Sequence, residues 1–448
     1  MRSFSCLWRC ASGVFSAGLL AVSLGGCEAP ELEGEGSMED VAAAASADSA
    51  AEVVSLSREV VTGDVAHYTI VLRVGDTPSA EVAIHRVVRE RSPWVPRRAS
   101  SAILLLHGDF ATFSSSFLSP GEAPQGQASH GLSAYLASQG VDVWGADRRW
   151  TRAPIDAADL SDFDGMDLSQ AITDTGLALG FARGVRAISG NGFGRIALGG
   201  FSHGAQIAYE YAAAESQKPL GQRHVKALVP IDIYAAVPPG DEDARLNACA
   251  NRDFEREMVD LGFAAGENSF FALMAELDRT APDDPSPIFP NRTNHDGLLN
   301  FVGRTWVFYA PTANYHLAGG FLSGKSITSL RYSPQARIDD WLAGAPAFQS
   351  NLESADLDAI WCADGPRPVP DHLADIHVPI FYLGAAGGFG DAGLASLALT
   401  GSSDVTTLVI SSLPAEQQRE DYGHADLLFS DEAAALTWQP LAAWIQSH

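Results

Sequence analysis

Residues 195–207 read Arg-Ile-Ala-Leu-Gly-Gly-Phe-Ser-His-Gly-Ala-Gln-Ile, and this stretch decides the fold. The short apolar run 196–198 favours a strand and residues 205–209 favour a helix, so the chain must turn sharply at Ser202. Gly200 and Gly204 stand two residues before and two residues after the serine, where side chains would clash in so tight a turn. The stretch therefore predicts a strand, a strained turn that presents a serine hydroxyl, and a helix.

The pattern Gly-x-Ser-x-Gly in this context indicates a nucleophilic serine. The alternative is a turn of small residues that contains a serine by chance, because a five-residue pattern has many chance matches. The strand before the turn and the helix after it favour Ser202 as a nucleophile.

Composition bounds the class of protein. The chain has 448 residues, of which 46% are hydrophobic and 19% charged, as in a globular protein of one elaborated domain or two. The formal net charge is -26, and no basic cluster offsets it. Since binding to nucleic acid depends on neutralising phosphates with Lys and Arg, we expect no nucleic-acid partner.

The first 26 residues are typical of a signal peptide. Arg2 and Arg9 form a positively charged segment before an apolar stretch, 11–24, that is too short to span a bilayer as a helix. The stretch ends in Leu24-Gly25-Gly26-Cys27, which resembles the lipobox of bacterial lipoproteins and implies lipidation of Cys27. The alternative is an ordinary secretory signal followed by a chance cysteine. We expect an exported lipoprotein, anchored in the outer membrane and facing the periplasm or the cell surface.

Residues 27–52 are rich in Glu, Asp, Ala, Ser and Gly and lack aromatic side chains. Such a segment cannot bury enough apolar surface to offset the entropy lost on ordering, so it is expected to be a flexible acidic tether.

The rest of the chain predicts a mixed sheet. Residues near 53–61, 67–74 and 81–88 alternate partly in polarity, which favours antiparallel strands. Continuous apolar runs then predict strands buried on both faces, at 102–106, 141–146, 196–200, 225–231, 378–383 and 405–410. Helix-compatible stretches separate several of them, at 131–138, 167–181 and 205–215, so a parallel sheet covered by helices is expected.

Four segments together resemble the α/β-hydrolase family, in particular its serine esterases and lipases. They are the strand ending in His107-Gly108, the segment 135–149, the turn at Ser202, and Asp421-Tyr422-Gly423-His424-Ala425-Asp426-Leu427-Leu428. The resemblance implies an α/β fold: a mostly parallel twisted sheet with helices on both faces and a large inserted cap.

The insertion between the fourth and fifth buried runs is far longer than a crossover requires. We therefore expect a hydrolase core at 53–233 and 373–448, and a cap, or lid, at 234–372 over the carboxyl ends of the strands, where such folds bind ligands. Cys249 and Cys362 lie near the two ends of the cap. In an exported protein they form either a disulfide, which we favour, or two isolated buried thiols.

A serine nucleophile needs a base and a third group to orient the base. In the family, the acid and then the histidine follow the serine, so the resemblance implies His424 as the base. For the acid we favour Asp391, in the glycine-rich loop 384–391 after a buried strand, with Asp232 as the alternative. Asp404 precedes its strand and is expected at the opposite edge of the sheet.

An oxyanion intermediate needs backbone N–H donors. We expect one from His203, at the start of the helix after the serine, and another from Asp109 or Phe110, after His107-Gly108.

The sequence thus predicts an enzyme that hydrolyses carboxylic esters through a Ser-His-Asp triad and an acyl-enzyme. The substrate would be a small ester or a lipid-like molecule. Neither metal-ligand spacing nor a dinucleotide-binding glycine motif occurs in a suitable context, so no metal and no cofactor are expected. Two alternatives stay open: a catalytically inactive binding protein with this fold, and acyl transfer or the hydrolysis of an amide or a lactone by the same triad.

Overall fold

The computed structural model describes residues 52–75, 77, 80–118, 130–304 and 311–448. The expected signal peptide (1–26), Cys27 and the tether up to residue 51 lie outside these residues. Among the described helices, none combines the length and the apolar composition needed to span a bilayer.

The main sheet has ten strands in the described part of the chain. Their spatial order is β1-β2-β3-β6-β5-β7-β8-β13-β14, with β4 paired to β3. The strands of the described residues, in chain order, are β1 Glu52–Thr62, β2 Val65–Arg73, β3 Glu81–Ser92, β4 Val95–Pro96, β5 Ser101–Leu106, β6 Val141–Ala146, β7 Ile196–Phe201, β8 Val225–Ile231, β9 Ala265–Glu267, β10 Gly320–Ser323, β11 Ser326–Leu330, β12 Phe348–Ser350, β13 Ile380–Ala385 and β14 Val405–Ile410.

Strands with alternating polarity pair antiparallel, and strands with continuous apolar sequence pair parallel with one another. The first three strands pair antiparallel, and β3 pairs antiparallel with β6. From β6 to β14 every neighbouring pair is parallel. All six residues of β5 are buried, and a fully buried leucine such as Leu104 or Leu105 contributes roughly 1.5–3 kcal/mol of hydrophobic free energy. The continuous apolar runs thus form the buried parallel centre, and the expected mostly parallel sheet is confirmed.

The helices connect and cover these strands. They are α1 Phe113–Phe117, α2 Leu132–Ser138, α3 Leu168–Ile188, α4 His203–Ser216, α5 Glu242–Asp260, α6 Ser269–Thr280, α7 Asn294–Gly303, α8 Gln335–Ala343, α9 Asn351–Cys362, α10 Gly390–Leu397, α11 Asp426–Phe429 and α12 Gln439–Ser447, with a π-helical turn at Ala434–Trp438. Helix α4 packs on β7 and β8, and α10 packs on β13 and β14.

The chain between β8 and β13 contains helices α5 to α9. A hairpin, β10–β11, and the short antiparallel pair β9–β12 lie between them. Helices α5 and α9 pack along each other, and a disulfide between Cys249 on α5 and Cys362 on α9 joins them. The favoured pairing of the two cysteines is therefore the one that the structure contains.

Removing the disulfide should destabilise the fold. The bridge joins residues 113 positions apart, so its loss frees a long loop in the unfolded chain and should lower the free energy of unfolding by about 2–4 kcal/mol. Thermal unfolding of the double variant Cys249→Ala, Cys362→Ala measures the effect. The wild type under reducing conditions should unfold at the same lowered temperature, and an unchanged midpoint in both cases would contradict this account.

Candidate active site

Ser202 lies at the sharp turn between β7 and α4. Its backbone angles, φ 57° and ψ -136°, fall in the left-handed half of conformational space, which non-glycine residues rarely adopt. The N–H of Ser202 donates to the carbonyl oxygen of Ile231 at the end of β8, 3.0 Å away. The turn is therefore held against the neighbouring strand, with the serine side chain at its apex.

Close packing explains the two glycines of the motif. A Cβ atom at Gly200 would lie 2.4 Å from the carbonyl group of Gly204, and one at Gly204 would lie 2.3 Å from the carbonyl oxygen of His107. A Cβ at Gly108 would lie 2.9 Å from the Cβ of Ser202. The loop after β5 (107–110) thus approaches the serine closely, and we call it the oxyanion loop because one of the expected oxyanion donors lies in it.

Asp232, directly after β8, is the carboxylate that meets His424. Its Oδ2 accepts a hydrogen bond of 2.7 Å from Nδ1 of His424, and both side chains are buried. A carboxylate only accepts, so Nδ1 carries the imidazole proton and Nε2 is the basic nitrogen. Backbone N–H groups of Ala385, Phe389 and Gly390 donate to Oδ1 at 2.9, 3.1 and 3.0 Å.

The favoured assignment of the acid to Asp391 is wrong for this structure. Asp391 is exposed in the first turn of α10, where a carboxylate complements the helix dipole, and the Nδ1 of His424 is bound to Asp232. The glycine-rich loop packs against the acid and does not provide it. Gly388 allows this close packing, because a Cβ there would lie 1.9 Å from Oδ2 of Asp232. Asp404 precedes β14 and pairs with His448, away from His424.

Two more aspartates of the segment 421–428 fix the histidine loop. Asp421 accepts from the backbone N–H groups of Ser412, Leu413 and Tyr422. Asp426 accepts from the N–H groups of Gly319 and Gly423, each at 2.7 Å. Burial raises the pKa of Asp426 to about 7, although these hydrogen bonds lower it. The loop is therefore held from both sides of His424.

His424 is confined between aromatic rings. It stacks on Phe201 with ring centroids 4.3 Å apart, and Tyr315 and Phe389 lie at 5.3 and 5.8 Å. Its Nε2 is buried and makes no hydrogen bond within the described residues, including to Ser202. Such catalytic hydrogen bonds are often long without substrate and tighten when it binds.

Two of the expected donors, Asp109 and Phe110, lie in the oxyanion loop, and one of them must be corrected. The N–H of Phe110 donates to Oε1 of Gln349 on β12, 3.0 Å away, so this amide is engaged by the cap and does not face the serine as an oxyanion donor. Phe110 itself is in the left-handed region, with φ 40°. Asp109 and His203 therefore remain the candidate donors, and His203 is the first residue of α4, where amides have no acceptor within the helix.

The side chain of Asp109 is bound by His203 and Arg148. It forms a short ion pair with Nδ1 of His203 and accepts from Arg148 at 3.3 Å. Burial alone would raise the pKa of Asp109, but the charges and hydrogen bonds of these partners lower it to about 2. Burial lowers the pKa of His203, whereas the Asp109 carboxylate raises it and the net shift is upward. The carboxylate of Asp109 is therefore held by His203 and Arg148.

Arg148 holds the loop in this shape, and sequence reasoning did not single it out. Its guanidinium donates to the carbonyl oxygen of Gly108 and to Glu353 on α9, and its backbone N–H donates to Nε2 of His107 at 3.1 Å. A signal was available, since Arg148 follows a fully buried parallel strand and so lies at the edge where ligands bind. Gln349 offered no such signal, because its contact joins residues 239 positions apart.

Aromatic side chains from the cap meet the oxyanion loop. Phe110 stacks on Phe271 of α6 with ring centroids 4.3 Å apart and lies 5.2 Å from the ring of Trp341 on α8. Phe271 in turn contacts Phe270 and Phe301. The cap therefore brings an apolar wall to the oxyanion loop.

Comparison with known proteins supports the architecture. The sequence matches no family model and no curated protein. Among solved structures it resembles a lipase candidate from Sulfolobus solfataricus at 16% identity, with a TM-score of 0.59 over 89% of this chain and 99% of the other. A soluble variant of monoglyceride lipase from Saccharomyces cerevisiae in complex with a substrate analogue (11%, TM-score 0.40, 89% and 96%) and potato epoxide hydrolase I (13%, 0.40, 88% and 100%) are also similar.

The first of these likenesses extends over nearly the whole of both chains, and the strand order and the turn at Ser202 agree with it. The chain has the α/β-hydrolase fold.

Proposed function

We propose that this protein is a serine hydrolase that cleaves carboxylic esters through an acyl-enzyme. The observation that carries the proposal is the buried hydrogen bond from His424 to Asp232, beside a serine held in a strained turn. Asp232 fixes the imidazole so that its basic Nε2 is directed away from the carboxylate.

In the proposed reaction, Ser202 attacks the acyl carbon while its proton passes to Nε2 of His424. The backbone N–H groups of His203 and Asp109 stabilise the developing oxyanion. The imidazolium then protonates the leaving alcohol, and the same nitrogen activates the water that releases the acid. Asp232 keeps its negative charge throughout and stabilises the imidazolium.

The surroundings favour an ester with an apolar acyl or alcohol group. The wall formed by Phe110, Phe271 and Trp341 offers large apolar faces close to the oxyanion loop. The same triad can perform acyl transfer or hydrolyse amides and lactones, and a protein with this fold can also bind a ligand without turning it over.

Export as a lipoprotein belongs to the same proposal. Its support is the lipobox-like sequence ending at Cys27, together with the Cys249–Cys362 disulfide, since disulfides persist mainly in oxidising compartments. Attachment through Cys27 would keep the enzyme at a membrane surface.

Replacing the nucleophile tests the function. Ser202→Ala should lower kcat for 4-nitrophenyl butanoate by about 10⁴- to 10⁶-fold, because no other group can form the acyl-enzyme. Ser216→Ala, at the other end of α4, should keep wild-type activity. Activity of the Ser202→Ala variant equal to that of the wild type would contradict the proposal, and a wild type inactive towards esters would favour a binding protein or another triad reaction.

Replacing the two aspartates tests the assignment of the acid. Asp232→Asn should lower kcat about 10³- to 10⁴-fold, since an amide no longer favours the tautomer with the proton on Nδ1. Asp391→Asn, which alters an exposed carboxylate after the neighbouring strand, should stay within about twofold of the wild type. If Asp391→Asn lowered kcat more than Asp232→Asn did, Asp391 would be the acid.

Adding a methyl group beside the acid tests how closely the glycine-rich loop positions it. Gly388→Ala places a Cβ 1.9 Å from Oδ2 of Asp232, so the carboxylate must move and kcat should fall about 100-fold. Gly365→Ala is the matched control, because its Cβ would meet no heavy atom within 4 Å. Equal kcat values for the two variants would show that the loop does not fix the acid.

A further inference from the structure

Two acidic side chains of the inserted helices lie near His203. Asp358 on α9 is 2% exposed and interacts electrostatically with His203 and Asp109. Glu255, on the neighbouring helix α5, interacts with Asp358 and Asp109. His203 directly follows Ser202, and Asp109 lies in the loop after β5, so the two acids are within electrostatic range of residues beside the serine. We call Asp358 and Glu255 the acidic pair.

The acidic pair lacks the partners that buried carboxyl groups normally have. Oδ1 of Asp358 and Oε2 of Glu255 are buried and make no hydrogen bond within the described residues. Leaving such an oxygen unsatisfied costs about 1–3 kcal/mol, and more for a charged group, so these two oxygens require an explanation. A ligand that donates hydrogen bonds and carries positive charge would supply what is missing.

The cations near the acidic pair are bound to other carboxyl groups. His203 and Arg252 interact electrostatically with Asp358, and Arg256 interacts with Glu255. Arg148 is already bound to Glu353, and His203 to Asp109. Within the described residues, no cation forms a direct ion pair with Asp358 or Glu255.

The arginines of α5 form their ion pairs with other carboxylates. Arg252 pairs with Asp253 and Asp364, and Arg256 pairs with Asp356 at 3.0 Å. Burial raises the pKa of Asp358 to about 8, although His203 and Arg252 lower it. Burial raises the pKa of Glu255 well above its usual value, and the carboxyl groups of Asp358 and Asp109 raise it further. A perturbed pair of this kind beside a nucleophile is typical of a functional site.

Aromatic rings border the same place. The ring of Trp361 lies 5.1 Å from that of His203, and Tyr234 packs against Trp361 at 4.8 Å. Carboxylates combined with aromatic faces are suited to an organic cation, which gains ion pairing from the former and cation–π attraction from the latter.

We propose that Asp358 and Glu255 form a subsite for a primary ammonium group of the substrate, so that the enzyme prefers esters with a positively charged amine. This inference rests on the proposed ester hydrolysis and adds the class of substrate to it. On binding, the ammonium group donates to the unpartnered oxygens while the ester carbonyl reaches Ser202.

A pair of matched substrates tests the subsite. 4-Nitrophenyl 6-aminohexanoate and 4-nitrophenyl heptanoate have acyl chains of equal length and differ only in an ammonium or a methyl group at the end. The wild type should show a kcat/KM at least tenfold higher for the amino ester, since a desolvated charge pair is much stronger than one in water. The ratio of the two kcat/KM values removes effects on the triad itself.

Three variants decide which residues cause the preference. Asp358→Asn and Glu255→Gln should each lower the ratio, and the double variant should bring it to about one or below. Glu257→Gln removes an exposed charge from the same helix and should leave the ratio unchanged. The amide variants relieve a buried charge, so their thermal midpoints above pH 8 should equal or exceed that of the wild type, which shows that they fold.

The preference should also grow as the pH rises from 6 to 9. The groups that face Asp358 are His203 and Asp109 from the core, Glu255 and Arg252 from α5, and Tyr234. Since the pKa of Asp358 lies near 8, its carboxyl is mostly protonated at pH 6 and ionises over this range, whereas an alkylammonium stays charged. The Asp358→Asn variant should lack this rise.

The outcomes distinguish a failure of the ammonium subsite from a failure of the proposed ester hydrolysis. If the heptanoate is hydrolysed and the ratio is the same in the wild type and in all variants, the subsite is wrong and ester hydrolysis stands. If neither ester is hydrolysed by the wild type, the proposed function itself fails. A ratio that favours the amino ester and falls in Asp358→Asn and Glu255→Gln, but not in Glu257→Gln, is the result that the structure predicts.

Discussion

The buried carboxylate of Asp232 is the constraint on which the rest of the site depends. A charge removed from water is costly unless it is paired and hydrogen-bonded, and Asp232 meets that condition with three backbone N–H groups and the imidazole of His424. Its donors come from the loop after β13, and His424 comes from the loop after β14. One side chain at the end of β8 therefore fixes the relative position of the two following loops.

The fold and the sharp turn at Ser202 were predictable because their signals are local. The strand, the turn and the helix around Ser202 lie within about fifteen residues, and the clashes that require Gly200 and Gly204 arise within that turn and with the loop after β5. The continuous apolar runs predicted the bounds of β6, β8 and β14. The alternation of polarity likewise predicted the antiparallel strands that open the sheet.

The acid was not predictable from local signals. Asp232 and Asp391 both follow buried parallel strands that are neighbours in the sheet, so both are placed at the same edge. What separates them is the path of the glycine-rich loop, which curls around Asp232 and sends Asp391 into solvent at the start of α10. The contacts of Phe110 with Gln349 and of Arg148 with Glu353 join residues more than two hundred positions apart, and spacing along the chain does not reveal them.

The cap gives the site two unlike sides. Helices α6 to α8 bring aromatic rings to Phe110, whereas α5 and α9, joined by the disulfide, carry carboxyl groups towards His203. Under the proposed function, these helices would meet an apolar part and a charged part of the substrate. Substrate specificity would then depend on the inserted helices, and the chemistry on the loops at the ends of the strands.

The most direct test of the central claim is to identify the residue that carries the covalent intermediate. The native protein is treated with a fluorophosphonate, digested, and analysed by mass spectrometry to locate the phosphonylated peptide. The account predicts one equivalent of label on Ser202 in the wild type, and labelling slowed by several orders of magnitude in Asp232→Asn, because the base would no longer be oriented. Label on another residue, or no label on the folded wild type, would contradict it.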